Sequence, residues 1–107
     1  MKIKISKDFA KMPGGRYQNK SDKSGEEFRK DLLIPKYNLA KSSKEKLIID
    51  LDGLFAYPSS FFEEAFGGLV REFRSEKEQL ISTIDFVCEE NPIQIDRIKR
   101  YMNDADK

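Results

Sequence analysis

Ser59 and Ser60 place two hydroxyls side by side directly after Pro58, between an apolar run and a stretch rich in phenylalanine. A turn of this kind, set where a strand gives way to a helix, suits two kinds of chemistry. The unpaired N–H groups and the dipole of a helix start favour an anion such as phosphate. An accessible serine there can also accept a phosphoryl group, which brings about two negative charges. The plainer reading is structural: Ser60 and Glu63 have the spacing of a capping box, in which the serine only starts the helix.

Gly14-Gly15-Arg16 is a second candidate, a loop whose backbone could hold an anion while the guanidinium clamps it. It lacks the lysine-serine ending of a Walker A loop and the spacing of a dinucleotide fingerprint, so an ordinary turn is favoured. If this loop folds over the helix start, Arg16, Ser24 and Ser59 converge on a small anion. Asp50 and Asp52 share one side of an expected strand because side chains alternate with a period of two. No third acid is spaced to complete a cation site with them, so no metal is implied and they read as strand-end charges. Glu63-Glu64 likewise reads first as a solvated helix face.

What the chain lacks narrows the chemistry further. It contains no histidine, which excludes Ser-His-Asp and Cys-His catalysis, histidine-ligated metals and imidazole bases. With no lysine in a Ser-x-x-Lys arrangement near Ser59, no base to activate that serine is evident, and the expectation is a protein that is not an enzyme and needs no cofactor. Cys88 is the sole cysteine, so no internal disulfide or cysteine-based zinc site can form; it reads as a core residue at a strand end.

The 20 basic and 19 acidic residues leave a net charge of +1. A polyanion binder needs a surplus of cations, so nucleic acid is not the expected partner. Lys2, Lys4, Lys7, Lys11, Arg16 and Lys20 do load the first segment with charge, and a solvated face is the simpler account of them. No apolar run approaches the roughly 18 residues of a membrane span and no signal-peptide pattern opens the chain, so cytoplasmic residence is the default expectation.

These residues must be held by elements that hydrophobic periodicity makes readable. Residues 1–6 alternate polar and apolar side chains, as a strand with one buried face does. A break at Met12–Arg16 and a polar loop over 17–23 follow. Ser24 with Glu27 forms a capping box that opens a helix carrying Phe28, Leu32 and Leu33, and Pro35 is expected to end or kink it. Residues 41–46 read as a charged turn. Leu47 to Asp52 is a nearly continuous apolar run ending at Gly53, the pattern of a central strand covered on both faces. Phe62, Ala65, Phe66, Leu69, Val70 and Phe73 then fall on one face of a helix. Gly67-Gly68 inside it costs about 1 kcal/mol per glycine relative to alanine, which close approach of another backbone or a partner would explain. A third strand is placed at 82–87. A last helix starts with Asn91 as cap, Pro92 at its first position and Gln94 at its third, and buries Ile95, Ile98, Tyr101 and Met102; residues 103–107 should fray.

The order β-α-β-α-β-α calls for crossovers, and crossovers favour parallel strands. The expected fold is α/β, a small, mostly parallel sheet with packed helices, in one domain over 1–107.

The run from Leu47 to Leu54, followed by Ser59-Ser60 and an amphipathic helix, resembles the core of STAS domains, whose best-known members are bacterial anti-sigma factor antagonists. In that family a strand passes through an Asp-Ser-Ser-Gly-type turn into a helix, and the first serine is phosphorylated. The match puts Ser59 at the phosphorylated position, with Pro58 where the family has aspartate and Phe61 where it has glycine. Pro13–Tyr17, Ser24–Arg29 and above all Ser59–Leu69 are also similar to a bacterial and phage family labelled STAS-like, of unknown function. Its members can occur beside or fused to histidine-kinase-like ATPase modules, which implies a partner of that kind. The expectation is a regulatory, protein-binding module of the anti-sigma-antagonist kind. Its expected contact surface comprises Pro58, Ser59, Ser60, Glu63, Glu64, Gly67 and Arg71, with Ser59 as the candidate phosphorylation switch; the alternative is a phosphate, nucleotide or other small-anion binder using the Gly14-Gly15-Arg16 loop, Ser24 and the Ser59 turn.

Overall fold

A computed structural model describes residues 1–17 and 23–106; most of the loop expected over 17–23, with Lys20, and the terminal Lys107 lie outside them. Three strands, β1 (Lys2–Lys4), β2 (Leu47–Asp50) and β3 (Ile84–Val87), form a parallel sheet in the order β1-β2-β3. Helix α1 (Ile5–Asp8) follows β1 directly. Residues 25–43 form one helical rod, α2, and residues 59–72 a second, α3. Each contains a π-helical turn, Arg29–Leu33 in α2 and Glu63–Gly67 in α3. A 3-10 turn (Arg74–Glu76), α4 (Lys77–Thr83) and α5 (Ile93–Asp104) complete the chain.

The α/β class and the parallel sheet are as the sequence implies. Ile3 pairs in register with Ile49, Leu47 with Ile84, and Ile49 with Phe86, and this row faces the helices. The opposite face carries Lys2, Ile48 and Asp85 in one row, with Lys2 and Asp85 exposed. The central strand is therefore covered fully on one face only, a correction to the expected double cover. Two right-handed crossovers stepping in the same direction across a sheet put both helices on the same side, which accounts for the one-sided burial. Ile48 alone breaks the alternation that would have revealed it.

Helix α3 lies at the centre of the helical layer, packed against α2 on one side and α5 on the other. The expected face of α3 is buried, Phe73 partly, but so is Phe61 on the other side. Phe28, Phe61, Phe62 and Phe66 form a continuous aromatic cluster with ring centroids 5.5 to 6.2 Å apart, which Phe9 joins on the β1 side and Phe86 on the β3 side. Gly25 makes the α2 contact possible. A Cβ there would stand 2.6 Å from the Phe61 carbonyl oxygen and 3.2 Å from the Ala65 nitrogen, so only glycine lets the two backbones come this close.

Several expected boundaries move for identifiable reasons. Pro35 does not end α2: it sits in the first turn after the π segment, and the helix continues to Ser43, where Lys44 closes it in the left-handed conformation (φ 55°). The wider turn before the proline accommodates its missing N–H. β1 stops at Lys4 because the Asp8 carboxylate accepts that residue's N–H at 2.8 Å and draws the chain into α1. β3 starts two residues late: Ser82 and Thr83 end α4, their hydroxyls donating back to the Gln79 carbonyl at 2.9 and 2.7 Å. The final helix opens after Pro92 rather than Asn91. It does not fray early, since Lys77 Nζ holds the Asn103 carbonyl and the Asp106 carboxylate at 3.2 and 2.8 Å.

Candidate functional site

The candidate surface sits at the carboxyl ends of the three strands, where open parallel sheets commonly bind their ligands. Asp52 organises it. Its carboxylate accepts the N–H groups of Glu90 and Glu89 at 2.9 and 3.0 Å, joining the end of β2 to the end of β3. The Glu90 amide, more than any other contact, holds the Asp52 carboxyl below its ordinary range. Ser6 Oγ donates to the Asp52 carbonyl at 3.0 Å and brings in α1. Gly53 has φ +90°, and a Cβ on it would stand 2.7 Å from Ser6 Oγ, so this turn needs glycine twice over. Asp50 is spent on Lys2 (3.3 Å) and on the Asp52 N–H (2.9 Å). Among the described residues no acidic cluster is arranged to hold a metal ion.

From this frame the chain runs out to Phe55 and returns through Tyr57 and Pro58 to α3. The Phe55 N–H donates to the Lys11 carbonyl at 2.9 Å, so Phe55 and Met12 lie on adjoining loops. Both are strongly exposed, at 70% and 67%, and Ile93 at the start of α5 is 62% exposed. Tyr57 stacks on Phe62 and is half-buried, and burial pushes its hydroxyl up to about 12. Pro58 is the N-cap of α3 with extended backbone (ψ 123°), and Ser59, the first helical residue, is exposed.

The capping box read from Ser60 and Glu63 is not formed: the cap residue is Pro58, and no side chain caps this helix. The Glu63 carboxylate turns instead to Arg71 Nη1 at 2.7 Å and to Arg16. Those two guanidinium groups, Arg71 first, hold its carboxyl below the ordinary range, and Glu63 in turn raises both arginines. Glu64 is not a solvated or partner-facing residue. It is buried, and its carboxylate takes Arg29 Nη1 at 2.7 Å while its carbonyl accepts from the same nitrogen. Arg29 is buried as well, and its Nε reaches Glu72 at 3.0 Å. The carboxylates and guanidiniums thus form one chain, Glu72-Arg29-Glu64-Arg16-Glu63-Arg71, tying α2, α3 and the loop before α2 together.

Gly67 and Gly68 belong to this network rather than to a partner surface, and both are buried. A Cβ on Gly67 would stand 2.6 Å from Glu63 Oε2, and one on Gly68 would collide with the Arg29 guanidinium. The close approach that the glycines permit is therefore internal.

Arg16, Ser24 and Ser59 do not converge. The backbone of the loop at 13–16 lies over the start of α2: the carbonyls of Gly15 and Arg16 accept the N–H groups of Gly25 and Glu26 at 2.8 and 2.9 Å. The Arg16 side chain reaches α3, but at Glu63 and Glu64 rather than at Ser59. Ser24 is fully buried and its hydroxyl accepts the Glu27 N–H at 3.1 Å, as the first capping box requires. Arg16 spends its charge on Glu63 and Glu64. The strand ends thus carry Pro58, Ser59 and Ser60 just after the loop of Phe55, Met12 on the loop bonded to it, and Ile93 at the start of α5. Periodicity could not single out Met12, Phe55 and Ile93 because each stands in a loop or at a helix start.

Among the described residues no helix is long and apolar enough to cross a membrane. A family model described as a STAS-like domain of unknown function (DUF4325) matches residues 24–94. No curated protein and no solved structure matches the chain.

Proposed function

We propose, from the premise that this chain belongs to the family of STAS-like domains of unknown function, that it is a non-catalytic regulatory module that binds a partner protein through the strand-end surface. The observation that carries this reading is the exposure of Phe55 and Met12 on loops joined by a backbone hydrogen bond, beside the Ser59 turn. Exposed large apolar side chains grouped together mark contact surfaces more often than scattered ones do. Aromatic and methionine side chains are also the types enriched at interface centres. The ion-pair chain under Arg16 serves as scaffold in this reading, holding α3 and its Pro58 cap in place.

The partner suggested by the STAS-like resemblance is a histidine-kinase-like ATPase. Ser59 is the residue through which the contact is switched: a phosphoryl group there adds about two negative charges close in sequence to the exposed apolar Phe55, and so opposes docking of an apolar partner face. The test is a titration of the chain against such an ATPase from the same genome. Phe55→Ser should weaken binding at least about tenfold with little change in folding stability, as truncation of an exposed anchor does. Ser59→Asp should weaken it and Ser59→Ala should not. Equal affinity of the native chain and Phe55→Ser would refute the surface; equal affinity of Ser59→Asp and Ser59→Ala would remove the switch alone.

A further inference from the structure

The sheet ends at β3, and the outer edge of that strand is open. The Ile48 N–H bonds to the Met1 carbonyl at 2.9 Å, and the Leu51 N–H bonds to the Val87 carbonyl at 2.8 Å. In a parallel ladder alternate residues direct both backbone groups to the same neighbour. With Asp50 opposite Val87 and Ile49 opposite Phe86, Asp85 and Val87 turn to β2, while Phe86 directs its N–H and C=O outwards. Among the described residues no loop or helix takes up those two groups.

The two edges of the sheet differ in protection. β1 is three residues long, two of them lysines, and gives way at once to α1; shortness and lysine charge are the usual guards of an edge. β3 carries neither lysine nor proline, and Ile81 and Val87 near its two ends are exposed. Along it runs a groove of about 170 Å³ whose apolar wall is made by Ile81, Ile84, Phe86 and Met102 of α5.

We propose that this edge docks a second copy of the chain, with β3 pairing antiparallel to β3 of the copy about a two-fold axis at Phe86. A continuous sheet must keep helix-facing residues on one side, so only two central registers are open: Asp85 opposite Asp85 of the copy, or Phe86 opposite Phe86 of the copy. The first opposes two carboxylates directly, which is destabilising. The second sets Asp85 against Val87 of the copy and leaves each Asp85 beside its own Lys46 at 3.9 Å. It also lets the outward N–H and C=O of each Phe86 satisfy each other, the reciprocal exchange of an antiparallel hydrogen-bonded pair. The contact is isologous and closed, so it stops at a dimer. A foreign extended peptide could use the same edge, but β3 already supplies its own complement in backbone direction and apolar side chains, in a register that keeps the two Asp85 carboxylates from facing each other.

Sedimentation of the full chain between about 10 µM and about 1 mM, with amide hydrogen exchange over the same range, tests this. The dimer should appear with rising concentration, and the Phe86 amide should gain about tenfold or more in protection as it does. The Asp85 and Val87 amides, already bonded to β2, should not change. Ile81→Lys, at the exposed mouth of the groove, should keep the native circular dichroism and remain monomeric. A chain that stays monomeric with a freely exchanging Phe86 amide overturns the proposal. So does a dimer that leaves this amide unprotected or that survives Ile81→Lys, and so does protection seen only when a foreign peptide is added.

Discussion

The guanidinium of Arg29 occupies the space that a side chain on Gly68 would need. A Cβ at that position stands 3.0 Å from Arg29 Cζ and 3.3 Å from its Cδ. Inside a helix, alanine is ordinarily better than glycine by about 1 kcal/mol. At Gly68 the sign should reverse, because Arg29 cannot swing aside without abandoning the buried Glu64, and leaving a buried charge unpaired costs about 3 kcal/mol or more. Gly68→Ala should lower the urea midpoint clearly. Gly67→Ala should come out near neutral, since its Cβ meets the movable end of Glu63 and the helix gain offsets the disturbance.

The pair Arg29 and Glu64 should behave as a unit. Removing one partner, as in Arg29→Met, strands a buried carboxylate and should cost about 3–5 kcal/mol by denaturant unfolding. Adding Glu64→Leu should return a large part of that loss, because two apolar side chains in place of a buried ion pair are often tolerated. The double-mutant cycle should therefore show strong coupling; additive effects would mean that the two charges do not depend on one another.

The scaffold was legible where one period dominates and obscure where distant residues meet. The buried face from Phe62 to Val70 could be read because its spacing repeats every three to four residues, and Ser24 with Glu27 because a cap is a local contact. Pro35 misled because a π turn ahead of it absorbs the missing donor, and nothing in the local sequence marks such a turn. Glu63 and Glu64 look alike in sequence, yet one is half-exposed and the other buried. Arg71 lies only eight residues from Glu63, but the partners that tie the two carboxylates to the rest of the fold, Arg16 and Arg29, lie 47 and 35 residues away, beyond any pattern of spacing. The same long-range packing explains Gly68, crowded by the Arg29 guanidinium of α2, whereas Gly67 is crowded by Glu63 from the preceding turn of its own helix. The Ser59 turn was placed correctly at the strand-to-helix junction, but the apolar neighbours that make it a surface sit in loops.

Acid should loosen the contact between the Arg16 loop and α3. Arg71 and Arg16 depress the Glu63 carboxyl in the folded chain, so the folded state binds that proton less readily than the unfolded one. Such a group stabilises the fold above its ordinary value of 4.5 and loses that contribution as pH falls through the lower folded value. The melting temperature of the native chain should exceed that of Glu63→Gln at neutral pH, and the gap should narrow as pH is lowered from about 5 towards 3. A gap independent of pH would show that the glutamine acts through shape rather than charge.

Ser24 and Ser59 are both serines at helix starts, and only one of them should matter to folding. Ser24 Oγ accepts the Glu27 N–H at 3.1 Å and is fully buried, so Ser24→Ala removes a cap and should cost about 1 kcal/mol, or up to about 2 with the buried amide left unpaired. Ser59 is exposed at the first position of α3, whose cap is the Pro58 backbone, and no side chain caps that end. Ser59→Ala should stay within about 0.5 kcal/mol of the native chain in urea unfolding, as exposed substitutions do. The comparison separates folding from contact at the two sites. Equal losses would make Ser59 a structural residue and leave the strand-end surface to Phe55 and Met12 alone.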